Sequence, residues 1–113
     1  MLFHNKYLVY DVDHTGKTPL HWAAQRGFFD LILLLLKKGS DIDKQDMLGF
    51  SPLFYAVSEG NRREVLALLI NEADPQLSTA SRQGISSFCK DLKIKKFLTV
   101  AKMVLTIAIL LIL

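Results

Sequence analysis

Cysteine is nearly missing from this chain. Cys89 stands alone, so no intrachain disulfide framework can hold the fold, and a reducing compartment suits it. The opening Met1-Leu2-Phe3-His4-Asn5-Lys6 lacks the basic start, apolar run and small-residue cleavage site of a secretory signal. Histidine is sparse and scattered, at His4, His14 and His21. With one cysteine this leaves no metal-ligand spacing. A Cys89–His21 nucleophile pair would have no orienting or oxyanion group beside it, so no enzyme activity, cofactor or small-molecule substrate is expected. Acidic residues are scarce in one region only. Residues 1–74 carry 8 basic and 10 acidic side chains, whereas residues 75–113 carry 6 basic and a single acidic one. The net charge of +3 therefore hides an acidic body and a basic tail. Because the cations lie beside an apolar stretch and not on a folded face, no nucleic-acid partner is expected.

What the chain does contain is a repeat. Gly16-Lys17-Thr18-Pro19-Leu20-His21-Trp22-Ala23-Ala24-Gln25-Arg26-Gly27 places a hydroxyl where a helix N-cap belongs and proline at the first helical position. Small apolar residues follow, and then a glycine able to stop the helix left-handed. Thirty-three residues on, Gly49, Ser51, Pro52, Leu53, Ala56 and Gly60 repeat the arrangement. That period and that capping chemistry resemble the ankyrin repeat family, and Thr18-Pro19-Leu20-His21 is nearly its whole signature.

The resemblance implies an all-α solenoid of helix–turn–helix units. The expected division is an N-terminal edge segment at 1–12, two repeats across 13–77, a decayed third repeat at 78–91, and a basic segment with a hydrophobic tail at 92–113. Inner helices are expected near 18–26 and 51–59, outer helices near 28–38 and 62–71. Asp30 at the start of the first outer helix and Lys37-Lys38 at its end suit the helix dipole, with Gly39 as the left-handed stop. Leu31, Ile32, Leu35 and Leu36 make its buried stripe. Phe28 and Leu33 fall on positions the family keeps polar, which points to extra burial against a further repeat, another chain or the tail.

In the second repeat, strict alignment would bury Glu64 where Leu31 stands. An unpaired buried carboxylate costs several kcal/mol. A one-residue insertion around Asn61-Arg62-Arg63 avoids this and matches Val65, Leu66, Leu69 and Ile70 to the stripe. Asn71 then serves as the left-handed stop. In the decayed repeat, Gly84, Ser86 and Phe88 echo the pattern, while Ser87 replaces proline and Lys90 and Asp91 stand where small residues belong.

From Phe97 to Leu113 the chain is almost wholly apolar, interrupted by Lys102 and preceded by Lys90, Lys93, Lys95 and Lys96. Seventeen residues lie at the lower edge of a bilayer span. Two outcomes compete: membrane association by insertion into lipid, and docking onto the repeats through Leu98, Ala101, Leu105 and Ile109. The second would leave Val104, Ile107 and Leu111 wet, so the first is preferred.

Function follows from the resemblance, which implies a non-catalytic protein–protein interaction module in the cytoplasm. Its partner would meet the hairpin tips and the exposed face of the inner helices. By position that nominates His14, Thr15, Lys17, Met47, Leu48 and Phe50 at the tips, and Trp22, Gln25, Arg26, Tyr55, Ser58 and Glu59 on the helices. Trp22 and Tyr55 are equivalent residues and should lie side by side, either as binding anchors or merely packed on each other. His21 is a structural residue in the family, bonded to its threonine and the adjacent loop; Phe54 replaces it in repeat two. The alternative is the ankyrin segment of a membrane protein, of ion-channel or membrane-acyltransferase type, ending in its first transmembrane helix. No Asp-His-His-Cys motif supports the acyltransferase version.

Overall fold

Thr18 and Ser51 start two helices in the same way. Each side chain accepts from the backbone N–H three residues on, Thr18 from His21 and Ser51 from Phe54, and proline follows each at the first helical position. The computed structural model describes residues 10–75 and 91–112. Within them lie two helix pairs, α1 (Pro19–Arg26) with α2 (Phe29–Lys37) and α3 (Pro52–Glu59) with α4 (Arg62–Ile70), followed by α5 (Leu92–Ile112). The described residues form no strand. All of the expected decayed repeat at 78–91 except Asp91, and most of the edge segment at 1–12, lie outside them.

Inner helix α1 packs on inner helix α3, and outer helix α2 on outer helix α4, so the two repeats stack as layers. Small residues allow the close approach: Ala23, Ala24 and Ala56 are all fully buried. Leu20, Ile32, Leu35, Leu53, Val65 and Leu68 complete the core around them. Gly27 and Gly60 end the inner helices at φ 74° and 73°, where a Cβ would be strained.

The register of the second outer helix corrects the expected insertion. Val65 and Leu68 are buried, thirty-three residues after Ile32 and Leu35, while Ile70 is 78 % exposed. The two repeats are therefore in strict register and Glu64 is buried. Desolvation argued for a shift, but a second constraint outweighs it. Asn61 must stand at the helix start, because its Nδ2 donates to the carbonyls of Ala24 (2.9 Å) and Gln25 (3.2 Å) at the end of α1. A one-residue slip would break that bridge between repeats.

The stop of α4 also differs from expectation. Glu72, not Asn71, adopts the left-handed conformation, at φ 71°. The N–H groups of Glu72 and Ala73 reach back to the carbonyls of Leu69 and Leu68, as those of Gly39 and Ser40 reach Leu36 and Leu35 in repeat one. Asn71 instead turns its side chain onto the Ala67 carbonyl at 2.7 Å.

Helix α5 follows directly on Asp91. One carboxylate oxygen accepts from the backbone N–H of Lys93 at 2.9 Å, and the other holds Arg62 Nε of α4 at 2.7 Å. The helix packs on α4 and buries Ile94 and Leu98 completely. Ala101 is half-buried, whereas the Leu105 and Ile109 side chains lie outside the described set. No helix among the described residues is long and apolar enough to cross a membrane, which counts against the transmembrane form of the tail. Phe28 and Leu33, for which extra burial was expected, are 54 % and 41 % exposed.

Candidate functional site

Two aspartates build the surface on which the nominated residues sit. Asp13 and Asp46 each open a tight tip closed by the same pair of backbone bonds: Asp13 N–H to the Lys17 carbonyl and Gly16 N–H to Asp13, then Asp46 N–H to Phe50 and Gly49 N–H to Asp46. One carboxylate oxygen of each fills the inside of its turn. Asp13 Oδ1 accepts from the N–H groups of Thr15 (2.9 Å) and Lys17 (3.0 Å), and Asp46 Oδ1 from those of Leu48 (3.0 Å) and Phe50 (2.9 Å). The second oxygen holds the aromatic ring of the following inner helix. Trp22 Nε1 donates to Asp13 Oδ2 at 3.1 Å, and the Tyr55 hydroxyl donates to Asp46 Oδ2. A tip-to-tip bond, Met47 N–H to the Thr15 carbonyl at 3.0 Å, joins the two units.

Electrostatics follow from this wiring. Asp13 is held well below the usual carboxylate range, first by the Thr15 hydroxyl at 2.6 Å and then by the backbone and indole donors. Burial and the adjacent Asp46 carboxylate push the Tyr55 phenol well above its ordinary value, so it stays a donor. Lys17 lies between the two aromatic residues, its Nζ 4.5 Å from the Trp22 ring centre and 4.7 Å from that of Tyr55, while Arg26 covers Trp22 from 5.6 Å. Instead of stacking directly, Trp22 and Tyr55 are bridged by a cation.

The nominated residues divide. Trp22 (39 %), Met47 (75 %) and Leu48 (62 %) present apolar surface to solvent, and Arg26, Ser58 and Glu59 are exposed beside them. Gln25 is half-buried and accepts from Lys17 Nζ at 3.4 Å. Tyr55 is only 8 % exposed, which corrects its nomination as a contact residue. Its hydroxyl is consumed by Asp46, and its ring meets Phe50, Phe54 and His21 edge-on. Phe50 is half-buried and stacks on Phe54 with ring centres 4.0 Å apart. His14 and Thr15 are exposed on the first tip. A cavity of about 480 Å³ flanks Trp22, walled by Val12, Pro19, Arg26, Phe28 and Leu31.

His21 sits behind this face, fully buried. Its Nδ1 accepts from the Thr18 backbone N–H at 3.0 Å, so Nε2 carries the proton and donates to the Phe50 carbonyl at 2.9 Å in the next repeat. Burial lowers its proton affinity below the ordinary histidine value, partly offset by the Phe50 carbonyl and Asp46. The chemistry is that of a fixed hydrogen-bonded strut, carrying no charge. Among the described residues no group of three or more His, Cys, Asp or Glu could hold a metal ion.

Asp13 and Asp46 were missed in the sequence reading. The signal was there: Asp13-His14-Thr15-Gly16 and Asp46-Met47-Leu48-Gly49 share an Asp and a Gly at the repeat spacing.

Stacked helix pairs, tips joined to one another and an asparagine bridging successive units define a helical-repeat array. Residues 2–79 match the family model for ankyrin repeats (3 copies), and the chain belongs to the ankyrin repeat family. Relatives include Rabankyrin-5 of Mus musculus, 36 % identical over 73 residues (65 % of this chain, 6 % of the relative). BCL-6 corepressor-like protein 1 of Homo sapiens is 33 % identical over 87 residues (77 % of this chain, 5 % of the relative). Potassium channel AKT2/3 of Arabidopsis thaliana is 51 % identical over 45 residues, covering 40 % of this chain and 6 % of the channel. The chain thus spans only a small part of the length of these relatives. Ankyrin repeats are in general protein-interaction modules without catalysis of their own.

Proposed function

We propose that this chain binds a protein partner through the face made by its second tip and its inner helices, and that it works in the cytoplasm. Met47 and Leu48 carry the reading. They are two large apolar side chains left 75 % and 62 % exposed on a turn that Asp46 holds rigid, so presenting them costs little ordering entropy on binding. Trp22, with Arg26 and Lys17 about its ring, supplies a second anchor of the kind that dominates interfaces. Gln25, Ser58 and Glu59 form the polar rim, and Phe50 and Tyr55 support from beneath. The lone cysteine accords with a reducing setting.

The test is capture of a partner by the tagged chain, followed by variants. Trp22→Ala and the pair Met47→Ser with Leu48→Ser should each weaken capture about tenfold or more at unchanged helicity. Lys37→Ala, on the outer helix, should not. Equal loss from Lys37→Ala would move the interface to the other side of the solenoid.

A second reading has the 51 % identity to the channel segment in its favour. In it the chain is the ankyrin part of a larger membrane protein. Sequencing the transcript beyond the codon for Leu113 tests it: an open frame encoding further apolar helices would support it, and an immediate stop would end it.

A further inference from the structure

The distal half of α5 has no counterpart in the repeats and no role in the tip face. Ile94 and Leu98 anchor its base on α4, and Asp91 pins its first turn to Arg62. Beyond them Val100, Met103, Val104, Ile107, Leu110, Leu111 and Ile112 are each at least 53 % exposed. At 100° per residue Val100, Met103, Val104, Ile107, Leu110 and Leu111 fall within about 120° of arc, with Ile112 apart at the last turn, so they form one broad apolar face left to solvent. Residues 103–112 carry no charge. They rise about 15 Å, roughly half of the ~30 Å hydrocarbon core of a bilayer.

Charge decides the occupant. Lys93, Lys95 and Lys96 ring the base of the helix and are all exposed, Lys102 follows one turn and a half above, and α5 contains no acidic side chain. A second copy aligned in parallel would bring like charges together at the base; an antiparallel copy would set each cationic base against the other's apolar tip. An anionic lipid surface satisfies both halves at once, with phosphates around the lysines and acyl chains around the tip. We propose that α5 is an interfacial anchor, whose uncharged end enters the near leaflet of an anionic bilayer while the lysines remain among the headgroups. The repeats, held to α5 where Ile94 and Leu98 pack on α4, then stand on the membrane. This is independent of the tip-face reading and makes no use of a transmembrane span.

Co-sedimentation of the full chain with vesicles tests it, using phosphatidylcholine alone and phosphatidylcholine mixed with phosphatidylserine. The chain is expected to pellet with the mixed vesicles and to be released by high salt. Lys93, Lys95 and Lys96 together changed to Gln should weaken partitioning on the order of a hundredfold, about fivefold per lysine. Ile107→Glu with Leu111→Glu should abolish it. Both substituted positions of the latter variant are exposed, so its circular dichroism in solution should match the parent. Binding independent of phosphatidylserine, or retained by the glutamate variant, overturns the proposal. So does a chain that ignores vesicles and elutes as a dimer that the glutamate variant dissociates, which would make a second copy the occupant of the face.

Discussion

Glu72 and His21 show how single residues carry the cost and the pH response of this fold. Glu72 occupies at φ 71° the place that Gly39 fills at φ 96° in repeat one, a conformation that disfavours a side chain by about 1–2 kcal/mol. Glu72→Gly is therefore expected to stabilise the protein by roughly 1 kcal/mol, read as a higher denaturant midpoint at unchanged slope; a lower midpoint would mean that the glutamate makes a compensating contact. For His21 the sign runs the other way from a salt-bridged histidine. Burial lowers its folded proton affinity, so between the ordinary value of 6.5 and the lower folded value the unfolded chain binds the proton and the native one does not. Stability should fall as pH drops through that window, by at most about 1.4 kcal/mol per pH unit, and level off beneath it. His21→Gln should flatten the dependence between pH 7 and pH 5 while lowering stability throughout. Parallel slopes for parent and variant would assign the acid sensitivity to other groups.

Elements were legible where one local rule decided them, and were misread where two rules met. Caps and small-residue faces placed all four repeat helices within about a residue, because Thr18-Pro19 and Ser51-Pro52 act inside their own turn. The buried face of α4 was not so local. The burial of Glu64 argued for a slip, yet Asn61 has to reach the end of α1 across the repeat boundary, a contact thirty-six residues away in sequence. Tyr55 was misjudged for a related reason. Its equivalence to Trp22 is real, each ring donating to the second oxygen of its tip aspartate, but Tyr55 also packs edge-on against Phe50, Phe54 and, from the preceding repeat, His21. The tip face could be named from spacing, whereas which of its rings is buried depended on these longer bonds. Asn61→Ala removes the bridge and leaves the Ala24 and Gln25 carbonyls short of a donor. A loss of about 1–3 kcal/mol is expected. Asn61→Asp, which keeps the size but reverses the hydrogen-bonding sense, should be no better than alanine. Recovery of stability by the aspartate would show that packing, and not donation, is what Asn61 supplies.

A solenoid gains stability from nearest-neighbour interfaces, and the described residues contain few of them. One joins the two repeats through α1 with α3 and α2 with α4; a second joins α4 to α5. Helix α5 thus takes the position of a neighbour for α4, with Ile94 and Leu98 as its buried contribution. Leu98→Ala should cost on the order of 2–5 kcal/mol, like other large-to-small changes at fully buried sites. The distribution of the loss distinguishes capping from ordinary core packing. If α5 caps the array, amide exchange in the variant should accelerate first in α4 and α5, with α1 held longer by α3 and by the His21–Phe50 strut. Uniform acceleration across all four repeat helices would instead make the chain one cooperative unit, in which α5 is as central as the inner helices. In that case the lipid anchor and the repeats could not be uncoupled, since withdrawing Leu98 to deepen α5 in a bilayer would loosen Met47 and Leu48 on the far tip.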